Sequence, residues 1–276
     1  MASPRALTNT EVIEQWLFGK PVNTQQAYMG DVLKALHWLG DPPLEDITLG
    51  DLQRYQAHLV QVRHFRNNTV RRKVSSIRAL LNFAIKERLL EYNPSANLTI
   101  PKRTGSVHER ILSRQQVEAV IDAAAYDRNH AMLRFLYCTG ARASELCGLL
   151  WRDCIPKADG STLIRLFGKR EEWRSVVIPP EVWREVARLR NDAPDGDRVF
   201  RIKRQELHVI FKAAATKAGC PEASTHWFRH SIASHLIEAG MPLPSVRDFL
   251  GHKSLETTNI YAHASPEQNP GNYLKL

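Results

Sequence analysis

The stretch Ile100-Pro101-Lys102-Arg103-Thr104-Gly105-Ser106 constrains the fold more than any other. It holds a proline, a glycine and small polar side chains and shows no apolar period. A continuous helix or strand is not expected to cross it, so the chain reads as two separately packed bodies. The expected boundaries are residues 1–100 for the first body, 101–108 for a linker and 109–276 for the second. Each body is long enough to enclose its own core.

The first body reads as helical. Residues 23–39 place Val32, Leu33, Leu36 and Leu39 at helical spacing, with Asn23 or Thr24 as cap and Gly40-Asp41-Pro42-Pro43 as stop. A second helix runs from about Leu49 to Val62. A third begins near Asn68-Thr69 and aligns Val70, Val74, Ile77, Leu80, Leu81 and Ala84 on one face. It ends before Asn93-Pro94, because proline lacks an N–H and restricts the residue before it. Between positions 54 and 88 nine Lys and Arg residues are accompanied by a single acid, Glu87. A solvated helix face is the plain alternative, but such faces usually mix signs. The one-sided charge favours a face that contacts phosphates, made of Arg66, Arg71, Arg72, Lys73 and Arg78. Such contacts supply affinity and register rather than sequence choice. The net charge of +9 points toward the same polyanionic partner without carrying the case alone.

The second body mixes helix with a little strand. Ser113-Arg114-Gln115-Gln116 fits a capping box ahead of Val117, Val120, Ile121 and Ala124. A helix over about 128–138 is broken by Thr139-Gly140-Ala141, and Arg142-Ala143-Ser144-Glu145-Leu146 opens the next. Residues 162–167 and 174–178 alternate in strand fashion, and the loop from Gly168 to Trp173 makes them a hairpin. Helix resumes after Pro179-Pro180, then again at about 203–218, 226–239, 244–249 and 254–261. The expected class is mainly α with one small β-sheet.

Several functions are disfavoured. No apolar run reaches the ~20 residues of a membrane span, and the first residues lack the apolar core of a secretory signal. Cys138, Cys147, Cys154 and Cys220 form no C-x-x-C pair, so zinc is not expected and the thiols read as reduced ones of a cytoplasmic protein.

The chemistry-bearing residues each have a plain alternative. Arg142 starts a helix where it could face an anion, but judged alone it reads as pairing with Glu145 three positions on. Lys169 in the hairpin turn is either a solvated lysine or a proton donor. His226 and Arg229 share a helix face. His226 and His230 have metal-ligand spacing, but Trp227 stands where an H-E-x-x-H motif needs glutamate. His230 beside Ser231 reads as an internal hydrogen-bonder, and Tyr261 judged alone as packing.

Taken together these residues have an order. Arg142 in Thr-Gly-Ala-Arg-Ala-Ser-Glu-Leu, Lys169 in the hairpin, His226-x-x-Arg229-His230, Leu250-Gly251-His252 and Tyr261 nine residues later resemble the tyrosine site-specific recombinases of the phage integrase and Xer-like group. The resemblance covers about 108–264 by motif and about 8–100 in character. It implies a helical, SAM-like core-binding domain followed by an α+β catalytic domain. It implies that Tyr261 attacks a DNA phosphate to leave a 3′-phosphotyrosyl link. Arg142 and Arg229 then clamp the phosphate oxygens, His226 takes a proton, Lys169 protonates the leaving 5′-oxygen and His252 donates to a non-bridging oxygen. Glu145 and His230 are implied supports. No cofactor is implied. The implied partner is double-stranded DNA with a specific site, bound by a homo-tetramer or with a second recombinase. Ala141 stands where the family often has leucine, and the tail with Pro266, Pro270 and Gly271 shows no clear docking helix. A type IB topoisomerase-like enzyme and a non-catalytic DNA-binding regulator on the same fold are the competing readings, with a metal-dependent hydrolase further off.

Overall fold

The computed structural model describes residues 7–102, 110–168 and 172–251. The chain divides into two compact units, Met1–Gly105 and Ser106–Leu276.

Among the described residues the first unit is built of α1 (Asn9–Leu17), α2 (Val22–Leu39), α3 (Leu49–Ala57) and α4 (Asn67–Lys86), with a 3-10 turn at Leu44–Asp46. The sequence reading places no helix before residue 23, yet α1 is there. Thr8 and Glu11 close a capping box, Glu11 N donating to Thr8 Oγ1 at 3.3 Å and Thr8 N to Glu11 Oε2 at 2.7 Å. Val12, Ile13, Trp16 and Leu17 form its buried stripe. Helix α2 starts one residue earlier than expected, behind Pro21, with Asn23 and Thr24 inside it and no side-chain cap. Leu33 points outward, and the buried face is Asp31, Val32, Ala35 and Leu36. Helix α3 runs on into a π-helical turn, His58–Val62, so the expected 49–62 helix is continuous but underwound at its end. The apolar face of α4 is buried as read, with Val70, Leu81 and Ala84 at 0% exposure. Side chains the size of Val70 and Leu81 each contribute roughly 1.5–3 kcal/mol when fully buried.

The basic face of α4 differs from expectation at two positions. Lys73 is buried and its Nζ donates to Asp31 of α2 at 3.1 Å. Arg72, half-exposed, joins the same carboxylate, and Ser76 Oγ donates to it at 3.2 Å. Arg78 donates to the carbonyls of Ser95 (2.6 Å) and Leu98 (2.5 Å). Lys73 and Arg78 therefore hold the helices and the following segment together rather than standing free on a surface. Counting acids only along residues 54–88 misses Asp31, which arrives from another helix. Arg66 and Arg71 are exposed.

The second unit holds α5 (Arg114–Asp122), α6 (Asp127–Thr139), α7 (Ala143–Gly148), β1 (Cys154–Pro156), β2 (Thr162–Phe167), β3 (Trp173–Ile178), α8 (Pro180–Ala187), α9 (Arg204–Lys217), α10 (Thr225–Glu238) and α11 (Leu243–Leu250). The strands form one antiparallel sheet in the order β1-β2-β3. The hairpin pairs Phe167 with Trp173 and Thr162 with Ile178. Strand β1 is three residues ending in proline, too short to show a period. Helix α6 is central: it packs on α5, α8, α10 and β3, with Met132, Leu133, Phe135 and Leu136 at 0% exposure. The helix expected over 254–261 lies outside the described residues. Among the described residues no helix is long and apolar enough to cross a membrane.

Candidate active site

The site is built on the break between α6 and α7. Gly140 closes α6 in the left-handed conformation, φ 54°. A side chain there would be strained, and its Cβ would lie 2.9 Å from Leu250 Cδ2. Helix α11 therefore packs directly onto the turn. Arg142 caps α7: its N–H donates to Glu145 Oε2 at 3.0 Å and its Nη1 to Oε1 at 2.6 Å. The local Arg142–Glu145 pair is thus real, but it belongs to a larger cluster.

Glu145 is fully buried, and a third donor reaches it, Arg174 Nη2 of β3, at 2.9 Å. Burial alone would raise the Glu145 pKa. The Arg174 charge and the hydrogen bonds from Arg142 and Arg174 outweigh it and hold the carboxyl below its ordinary value. Arg174 also donates to Thr139 O (3.2 and 3.3 Å), Gly140 O (3.3 Å) and Phe249 O. The sequence reading did not single out Arg174. Its one available signal is strand alternation, which puts it on the same face as buried Val176 and Ile178.

Arg229 on α10 is buried, with Nη1 donating to Gly140 O at 2.6 Å and Nη2 to Leu250 O. Arg142 Nη2 reaches Gly251 O at 3.4 Å. Three successive carbonyls at the end of α11, those of Phe249, Leu250 and Gly251, thus each accept from a different arginine. The last carbonyls of a helix have no intrahelical donor as a rule, and cations are favoured at that end. The geometry fixes the two guanidiniums nominated from the sequence, Arg142 and Arg229, around one turn and one helix end.

His226 opens α10 on its exposed side, and His230 follows one turn later, half-buried, with ring centroids 6.4 Å apart. Partial burial and the charges of Arg229, Arg142, Arg204 and Arg110 lower the His226 pKa. Burial, then His226, Arg110 and Arg229, lower that of His230 to about 4. Both imidazoles are therefore neutral at pH 7, and His226 is available as a proton acceptor beside a cluster of cations. Among the described residues no three His, Cys, Asp or Glu side chains gather as a metal site.

Lys169, His252 and Tyr261 lie outside the described residues. Gly168, which precedes Lys169, and Gly251, which precedes His252, are described. A Cβ on Gly168 would stand 3.5 Å from Glu145 Oε1 and 4.0 Å from Arg142 Nη1, and Gly251 gives its carbonyl to Arg142.

Comparison with known proteins adds to this geometry. Residues 110–268 match the phage integrase family, and residues 20–88 match the phage integrase N-terminal SAM-like domain. Tyrosine recombinase XerC of Corynebacterium efficiens is 30% identical over 287 residues, which cover 96% of this chain and 90% of that protein. Tyrosine recombinase XerD of Chlorobaculum tepidum is 31% identical over 266 residues, covering 87% of this chain and 86% of its own. Among solved structures, a lambda integrase dimer bound to a COC′ core site superposes with a TM-score of 0.72 at 19% identity, over 92% of this chain and 95% of that one. XerH bound to its difH substrate gives a TM-score of 0.71 at 17% identity, over 98% and 85%. At such identities the structures share the fold.

Proposed function

Since the chain belongs to the phage integrase family, we propose that it is a site-specific DNA recombinase that cuts and rejoins strands through a 3′-phosphotyrosyl link on Tyr261. The observation that carries this reading is the convergence of Arg142 and Arg229 on the Gly140 turn and the end of α11. Two fixed guanidiniums present forked donors to the non-bridging oxygens of one phosphate. They are in place before charge develops, which is how a transition state is favoured over the ground state.

In the proposed step the Tyr261 hydroxyl attacks phosphorus and the P–O5′ bond breaks. Free tyrosine has a pKa of about 10 and needs a base at neutral pH. Neutral His226 accepts that proton, Lys169 donates one to the departing 5′-oxygen, and His252 donates to a non-bridging oxygen. Glu145 holds Arg142 from behind, and His230 supports His226. One phosphodiester is exchanged for one phosphotyrosyl ester, so the reverse attack by a 5′-hydroxyl needs no ATP. The positive charge comes from the protein, so the step as written uses no cofactor. Residues 1–100 serve as a core DNA-binding domain, 101–108 as linker and 109–276 as catalytic domain. The substrate is double-stranded DNA with a defined site, bound in the cytoplasm by four copies or by pairs with a second recombinase.

The test is a nicked suicide substrate carrying the cognate site, incubated in a metal chelator and run on a denaturing gel. Wild type is expected to form a covalent adduct. Tyr261→Phe is expected to bind the DNA and form none. No wild-type adduct, or an adduct with the Phe variant, overturns the reading. Relaxation of supercoiled plasmid without recombinant product points instead to a topoisomerase-like enzyme.

A further inference from the structure

Arg174 carries a buried charge, whose desolvation costs free energy that its contacts must offset. It lies on the inner face of β3 with its side chain 8% exposed. Its Nε is buried without a hydrogen-bond partner among the described residues. An apolar side chain of similar volume often does as well or better at such a place. Yet the site is shaped around it. A Cβ on Gly251 would fall 2.9 Å from Arg174 Cδ, so the residue before His252 is left without a side chain where Arg174 passes.

Every group that Arg174 holds belongs to the proposed active site: Glu145, the Thr139–Gly140 turn and Phe249 O. Its sharing of Glu145 matters most. Arg142 takes Oε1 and Arg174 takes Oε2. Two cations on one carboxylate leave the trio with a net charge of +1. Without Arg174 the trio sums to zero, and buried Glu145 satisfies itself on Arg142 alone.

We propose that Arg174 is a positioning residue for strand cleavage: it fixes Glu145 and cancels its charge, so that Arg142 faces the DNA phosphate as an uncompensated cation. This rests on the role assigned to Arg142 above. The same trio with a neutral Glu145 and no Arg174 would again carry +1. That arithmetic separates positioning by charge from plain structural support.

The experiment measures single-turnover cleavage of the suicide substrate and DNA affinity for wild type, Arg174→Gln, Arg174→Lys and the double variant Arg174→Gln with Glu145→Gln, with thermal melts of each. Arg174→Gln is expected to slow cleavage about 10- to 100-fold while affinity changes by no more than about 3-fold. The double variant is expected to cleave several-fold faster than Arg174→Gln, and Arg174→Lys to fall between Arg174→Gln and wild type. A double variant no faster than the single one overturns the proposal, whether both are folded or both are unfolded. A folded Lys variant as slow as Gln also overturns it. A wild type that forms no adduct marks failure of the functional reading itself, and this proposal falls with it.

Discussion

His226 is surrounded by guanidiniums, and its titration should report them. Its pKa is lowered by partial burial and by Arg229, Arg142, Arg204 and Arg110. The neutral imidazole, the form that accepts a proton, therefore persists below the ordinary histidine value of about 6.5. We expect kcat/KM for cleavage, which reports the free enzyme, to show an acid limb centred below the ordinary histidine value. His226→Gln should lower the rate and remove the acid limb. A limb centred at or above about 6.5 refutes the assignment. His230 makes a separate prediction, for stability. Its pKa is near 4 when folded and about 6.5 when unfolded. Above 6.5 the proton count is the same in both states. As pH falls toward 4 the unfolded chain binds the proton first, so stability drops by something on the order of 2–3 kcal/mol. His230→Gln should flatten that part of a denaturant-midpoint profile, and an unchanged slope sinks the idea. At this scale Arg142, His226 and Arg229 stand out in the sequence only as members of the ordered set that ends at Tyr261, since Arg142 alone reads as a partner of Glu145. Arg174 does not stand out, because an arginine between exposed Trp173 and Ser175 reads as solvated until pairing with β2 turns it inward. Lys73 was misread for the same reason, its partner Asp31 lying far away in sequence.

The α6–α7 turn is the element on which the site depends. Gly140 combines a positive φ with Leu250, Phe249 and Ile232 all within 3.3 Å of where a Cβ would be. Gly140→Ala should destabilise by about 2–4 kcal/mol, from backbone strain plus overpacking. It should also displace α11, so cleavage falls more than the unfolded fraction accounts for. A denaturant melt paired with the adduct assay checks both; a variant of wild-type stability contradicts the packing seen here. The hairpin was legible because β2 and β3 both alternate and a glycine marks the turn. Helix α1 was signalled by Thr8 and Glu11, but its nine residues carry too few turns for the period to stand out. The π-helical turn at His58–Val62 comes at the helix end, where Leu59 is its one buried residue, so too few core positions follow for a sequence period to display it.

Charge acts over the whole molecule, and there the structure sharpens what +9 means. Part of the basic complement is spent internally: Lys73 on Asp31, Arg78 on backbone carbonyls, Arg174 on Glu145. Only cations that meet phosphates release counterions, and each should contribute about 0.9 to the slope of log K against log salt. Arg66 and Arg71 are exposed on the first unit, Arg71 also donating to Pro101 O at 3.2 Å, and are the proposed phosphate contacts. Arg66→Ala and Arg71→Ala should therefore each flatten the slope by about one while leaving the melting midpoint within about 0.5 kcal/mol. Lys73→Ala should do the reverse. Its slope stays at the wild-type value, and it destabilises by about 2–4 kcal/mol, because Asp31 is left buried with less compensation. The same titration on a scrambled sequence separates these terms from base readout, since phosphate contacts weaken cognate and scrambled DNA alike. If Lys73→Ala flattens the slope and leaves the melt untouched, α4 presents a different face to DNA than the one its buried residues define.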